Sequence, residues 1–159
     1  MLNDLVVDAN VLAHAANPAE PRFGAAIHLA HEILNSDVII CVDENFSLDS
    51  AKNRSRIGHE YLEFLQFGSL GFMVIATLAE VMRIKEVPRG VNQRVRQFVN
   101  QNVRDPTDHV YIYVAHNSDD QTLVSHDFRH LPPHVRNLLS REIEVNIVDS
   151  EICVDLLVN

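Results

Sequence analysis

The sequence predicts an α/β fold built on a mostly parallel sheet. Two observations carry this. Leu5–Val7 and Val38–Val42 are short, continuous apolar runs of the kind that strands buried on both faces require, and Gln121–Ser125 and Glu144–Val148 read as two further strands. Segments with apolar residues at helical spacing lie between them, and strands alternating with helices form parallel sheets.

Taken in order, Leu5–Val7 is followed by a helical turn or more over Ala9–Ala16, which Asn17 and Pro18 end. Pro21 to Asn35 places Ala26, Leu29, Ala30, Ile33 and Leu34 at helical intervals. After Val38–Val42 the chain is polar from Asp43 to Ser55. A helix over Ile57–Gln66 then turns Tyr61, Leu62 and Leu65 inward, and a longer apolar helix covers Leu70–Ile84. Pro88 and Gly90 break the pattern. Val91–Val103 reads as a weakly patterned helix, and Asp105-Pro106-Thr107-Asp108 is a helix-start signal. Pro132–Arg141 has proline at its first turn, and Ser150 is positioned to cap a last short helix. No repeat, low-complexity stretch or linker interrupts the 159 residues, so a single domain over 1–159 is expected.

A chain of this length buries roughly 70% of its unfolded surface, and 47% hydrophobic residues supply the core. Cys41 and Cys153 stand in apolar runs and read as core thiols. The seven residues before Asp8, five of them apolar, are too few for a signal peptide, and no run approaches the roughly 20 residues of a membrane span. A cytoplasmic protein with no membrane partner is the expectation. The net charge of −9 argues mildly against nucleic acid, but its distribution is uneven. Lys52–Arg104 holds nine of the 13 basic residues against four acids (Glu60, Glu63, Glu80, Glu86), a local balance of +5, while the remainder carries −14. The asymmetry suggests one basic surface on an acidic body.

The strand ends carry the chemistry. LVVD ends at Asp8, LVSHD at Asp127 and IICVD at Asp43, and in parallel sheets ligands bind beyond the carboxyl ends of the strands. A helix start at Asp108 is a further candidate for the same edge. Crowded carboxylates cannot all ionise unpaired. A hard divalent cation resolves that conflict, and Mg²⁺ suits both carboxylates and phosphate substrates.

VVDANVL near the start, GHEYLEFL in a middle helix, DPTDHVYIYVA opening a late helix and TLVSHDF ending a strand resemble, in that order, a PIN domain. The resemblance runs from Val6 to about Val148. It implies a three-layer α/β/α fold with four to five strands and a metal-dependent nuclease. It further implies an acidic quartet of Asp8, Glu60, Asp108 and Asp127 around Mg²⁺ or Mn²⁺, with Asn10 supporting the site. PIN-like enzymes mostly cut single-stranded RNA. Many small bacterial members are toxins held off by a protein antitoxin, and several members are dimers, so an antitoxin and a second copy of the chain are the protein partners implied. Lys52, Arg54 and Arg56 in the basic stretch would hold the substrate backbone. Arg129 stands where the family often has a further acid, and either contacts a phosphate or faces solvent.

Rival readings attach to several residues. Asp8 could simply cap the first helix, either Asp105 or Asp108 could cap the late one, and Asp127 could be a turn residue. Asp43, Glu44 and Glu63 compete with Glu60 for the second acid. His126, His130 and His134 are spaced by four and invite zinc, but Pro132 and Pro133 interrupt them. A haloacid-dehalogenase-like phosphatase also begins with a strand ending in Asp. It wants a second Asp where Asn10 stands, and a late lysine where none follows Lys85. A non-catalytic module that binds RNA or a protein is the remaining alternative.

Overall fold

The computed structural model describes Met1–Asn159. Five strands, β1 (Asp4–Val7), β2 (Ile39–Val42), β3 (Ile84–Glu86), β4 (Thr122–Val124) and β5 (Asn146–Val148), form one all-parallel sheet in the order β3-β2-β1-β4-β5. Eight helices complete the chain: α1 (Ala9–His14), α2 (Phe23–Asn35), α3 (Arg56–Phe64), α4 (Leu70–Glu80), α5 (Gln93–Asn102), α6 (Pro106–Asn117), α7 (Pro133–Ile143) and α8 (Ser150–Val158). Helices α1, α2, α4 and α8 pack on one another, whereas α6 lies across β1, β2 and β4 with α3 and α5 against it, and α7 covers β5. The result is the expected three-layer α/β/α arrangement. None of the helices is long and apolar enough to cross a membrane.

The core is one cluster of 39 buried residues. β1 and β4 are fully enclosed, which is why Leu5–Val7 and Leu123–Val124 are apolar without a break. Cys41 and Cys153 are free and buried in that cluster.

Two local expectations are corrected. The long helix ends at Glu80 rather than Ile84: Met82 turns the chain with a φ of 59°, and Ile84 pairs with Ile40 as the start of β3. β3 is an edge strand and only partly covered, so Lys85 and Glu86 in it show no apolar run. Ser150 is the first residue of α8, and the cap is Asp149, whose Oδ1 accepts from the Ile152 amide at 2.9 Å.

The chain order places the switch point of the sheet between β1 and β4. From β1 the chain steps to β2 and β3 on one side; from β4 it steps to β5 on the other. The crevice at such a point opens at the carboxyl ends of both strands, where Asp8 follows β1 and Asp127 follows β4. The short α1 leads away from this edge and is held by close contact with α4. A Cβ on Gly71 would stand 2.5 Å from the Leu12 carbonyl oxygen.

Replacing Gly71 by Ala should therefore force α1 and α4 apart at a cost of about 1–3 kcal/mol. That corresponds to a loss of several degrees in Tm, at roughly 2–4 °C per kcal/mol for a chain of this size. Gly24→Ala, where the added carbon meets nothing within 4 Å, is the control and should not lower Tm. Thermal unfolding followed by circular dichroism checks the pair; equal melting temperatures for both variants would contradict the close approach.

Candidate functional site

A cleft at the switch point is lined by Asp8, Asn10, Glu60, Asp105, Asp108 and Asp127, with Phe64, Thr107 and His14 at its sides. Four elements converge to build it: the end of β1, the middle of α3, the start of α6 and the turn after β4. The four acids expected from the sequence thus share one cleft, and Asp105 joins them.

Asp8 is 7% exposed. Its amide donates to the Val124 carbonyl at 3.0 Å, continuing the β1–β4 ladder one residue past β1. Its Oδ2 accepts from Ser125 Oγ at 2.8 Å, and Oδ1 accepts from the Asn10 amide at 3.3 Å, so Asp8 does cap α1. Burial pushes its pKa up to about 6, against the hydrogen bonds from Ser125 and Asn10, and the charges of Glu60 and Asp127 add to the rise. Asn10 also braces the crevice from the other side, its Oδ1 accepting from the His126 amide at 3.3 Å.

Asp108 lies in the first turn of α6 and is 6% exposed. Its Oδ2 is buried and has no hydrogen-bond donor, the one such side-chain atom in the molecule. Burial, then the charges of Asp8, Asp127, Asp105 and Glu60, push its pKa up to about 8. The cap of α6 is Asp105, whose Oδ1 accepts from the Thr107 amide at 3.0 Å and from Thr107 Oγ1 at 2.8 Å. That leaves Asp108 without a capping role.

Glu60 is half-buried and bonded to the Tyr111 hydroxyl, which in turn accepts from the Ala9 amide at 3.3 Å. The neighbouring Tyr61 donates to the Val7 carbonyl at 2.6 Å. Two buried tyrosines, one on α3 and one on α6, thus tie Glu60 and its helix to the end of β1. Burial raises the Glu60 pKa, and the Tyr111 bond opposes the rise. The competing acids are engaged elsewhere. Asp43 is fully buried, accepting from Ser55 Oγ at 2.5 Å, from the amides of Arg56 and Ile57 at 2.8 and 3.0 Å, and from Arg89 Nη1 at 2.8 Å. Glu44 meets Arg89 at 4.0 Å, and Glu63 meets His59 at 3.5 Å.

Asp127 organises the turn after β4: Oδ1 accepts from the amides of Arg129 and His130 at 3.1 and 2.9 Å, and Oδ2 lies 2.8 Å from His130 Nδ1. His130 also faces Asp105 at 3.7 Å. One ligand atom each from Asp105, Asp108 and His130 lie within 4.8 Å of one another, a set that could hold a metal ion. The unpartnered Asp108 oxygen is the feature that fits a cation best: it is a buried acceptor for which the protein supplies no donor. In sequence Asp105 reads only as a rival cap of the late helix, and His130 only as one of three histidines that invite zinc. The signals were there, since Asp105 and Asp108 sit three apart across a helix start, and Asp127 and His130 three apart in a turn. The zinc triplet is not formed. His126 turns inward, its Nδ1 2.8 Å from His14 Nδ1 and its Nε2 against Ser150 Oγ, and His134 is exposed.

The basic stretch does not make one surface. Lys85 lies at the opposite edge of the sheet, 2.8 Å from Asp119 and 3.6 Å from Asp4. Arg83 donates to the carbonyls of Ile33 and Val38, and Arg89 holds Asp43. Lys52 is exposed and pairs with Asp49 at 3.9 Å. Arg54 and Arg56 line a groove along α3 that Glu60 shares with the acid cleft. Arg129 is exposed beside the Asp127 turn.

Compared with family models, curated proteins and solved structures, the chain matches none.

The raised acids set a pH dependence. Asp108 in the fold takes up a proton between its ordinary pKa of 3.8 and about 8. More protons are bound folded than unfolded across that window, so stability without metal falls as pH rises through it. Asp108→Asn removes this contribution. Its melting temperature should exceed that of wild type by a gap several degrees wider at pH 8 than at pH 5, measured in EDTA. A gap independent of pH would mean that Asp108 ionises normally.

Proposed function

We propose that the chain is a metal-dependent endoribonuclease of the PIN kind, cutting phosphodiester bonds of single-stranded RNA at the acid cleft with Mg²⁺ or Mn²⁺ as cofactor. The observation that carries this reading is the convergence of buried acids at a sheet switch point around an Asp108 oxygen that nothing in the protein satisfies. Uncompensated carboxylates of this kind weaken a fold, and a cation is what their arrangement lacks.

Asp105, Asp108 and His130 bring their ligand atoms close enough to hold the cation, and Asp8, Glu60 and Asp127 would complete the acid site around it; carboxylate oxygens suit Mg²⁺ and Mn²⁺ alike. The cation supplies a Lewis acid for a phosphate oxygen and lowers the pKa of a bound water. The chain's own residues do the rest. Ser125 and the Asn10 amide fix the two Asp8 oxygens in orientation. Tyr111 holds Glu60 toward the cleft. Arg56, exposed on the groove that Glu60 also lines, offers a guanidinium to the substrate backbone.

A non-catalytic binding module is the second reading. It draws on Asp127, both of whose oxygens are already bonded within its own turn.

The two readings part on metal-dependent cleavage, and Asp8→Asn locates it. Asn caps a helix about as well as Asp, so the variant should fold. It lacks the anionic ligand that a hard cation needs, and Mg²⁺- or Mn²⁺-dependent cleavage of a labelled single-stranded RNA should fall at least about 100-fold, equivalent to roughly 2.7 kcal/mol. Asp119→Asn, at the opposite edge of the sheet, is the control and should cut at the wild-type rate. Wild-type cleavage by Asp8→Asn would remove Asp8 from the catalytic site, and no metal-dependent cleavage by wild type would leave the binding module.

A further inference from the structure

Phe64 is 54% exposed at the last residue of α3. Single exposed aromatics are common and need no role. This one is placed differently, because it lines the acid cleft, the groove along α3 and a third groove between α1 and the start of α4. It stands where the three meet.

The spacing on α3 gives that position meaning. Arg56, Glu60 and Phe64 are four apart, so they run in one stripe along a single face of the helix. All three line the same groove. The stripe presents a guanidinium, then the acid shared with the cleft, then an aromatic ring. A nucleic acid strand offers the matching series: a phosphate for the guanidinium, a scissile linkage over the acids, and a base with a π-face for the ring. A duplex offers the ring no free base face, because its bases already stack on each other.

We infer that Phe64 is a stacking platform for an unpaired nucleobase beside the acid cleft, and that it gives the site its preference for single strands. This rests on the nuclease reading above. The occupant is a base of a single-stranded nucleic acid, held by ring-on-ring contact that tolerates any base.

The test compares wild type, Phe64→Ala and Phe64→Trp on a labelled oligouridylate of about ten nucleotides and on a sugar–phosphate strand of equal length without bases. Phe64 is a half-exposed helix end, so both variants should keep the wild-type melting temperature, which is measured alongside. Phe64→Ala should weaken binding of the oligouridylate by about 5- to 150-fold, the equivalent of roughly 1–3 kcal/mol per stacked base. The loss should appear in KM with kcat little changed. Phe64→Trp should restore binding. On the strand without bases all three proteins should bind alike. Equal binding of the oligouridylate by wild type and Phe64→Ala, or an equal loss on both strands, would overturn the stacking role and leave the nuclease reading standing if wild type still cuts. Binding of neither strand by wild type, and no cleavage of either, would overturn both.

Discussion

The arrangement of the acid cleft follows from burying carboxylates of like charge together. Asp8 and Asp108 are more than nine-tenths covered, and they share their cleft with Glu60, Asp105 and Asp127. Water that would solvate these charges is displaced by β1, β4, α3 and α6, and the proton affinity of the two most buried acids rises in response. A parallel sheet makes such a place available: at a switch point two strands end side by side while their following segments leave in opposite directions.

The rest of the site is bracing. Ser125 and Asn10 fix Asp8, two tyrosine hydroxyls tie α3 and α6 to the end of β1, and the Asp127 turn carries His130 toward Asp105. Asp43 performs a different task from the acids it resembles in sequence. It gathers Ser55, two amides and Arg89, and so fixes where α3 starts. Four residues further along that helix, Glu60 reaches the cleft. An acid at a strand end can thus anchor a helix or face a ligand, and its hydrogen-bond partners decide which.

The legible parts of the sequence were those in which burial leaves a pattern. β1, β2 and β4 are enclosed and read as apolar runs, and α2 is amphipathic; their types and order were readable. β3 was not, because an edge strand half-open to solvent carries Lys85 and Glu86. Asp8, Asp108 and Asp127 were readable at element ends, and Glu60, in the middle of α3, only through the resemblance of the motif around it. The roles of Asp105 and His130 were not, since each depends on a contact between segments 25 residues apart in the chain. The basic surface was misread for the same reason. A run of charge in sequence is a surface only if the fold keeps it together, and β3 carries Lys85 to the far edge while Arg83 and Arg89 turn to internal partners. Arg54 and Arg56 stayed at the site because α3 starts beside it.

The cleft holds protons at the place where we propose that a cation binds. Calorimetric titration of the protein with Mn²⁺ at pH 7, in buffers of different ionisation enthalpy, measures the exchange of one for the other. Asp108 is mostly protonated at that pH and must ionise to bind metal. About one proton should be released per Mn²⁺ bound by wild type, and close to none by Asp108→Asn. Saturable binding with no proton release, or no binding of Mn²⁺ at all, would contradict that exchange.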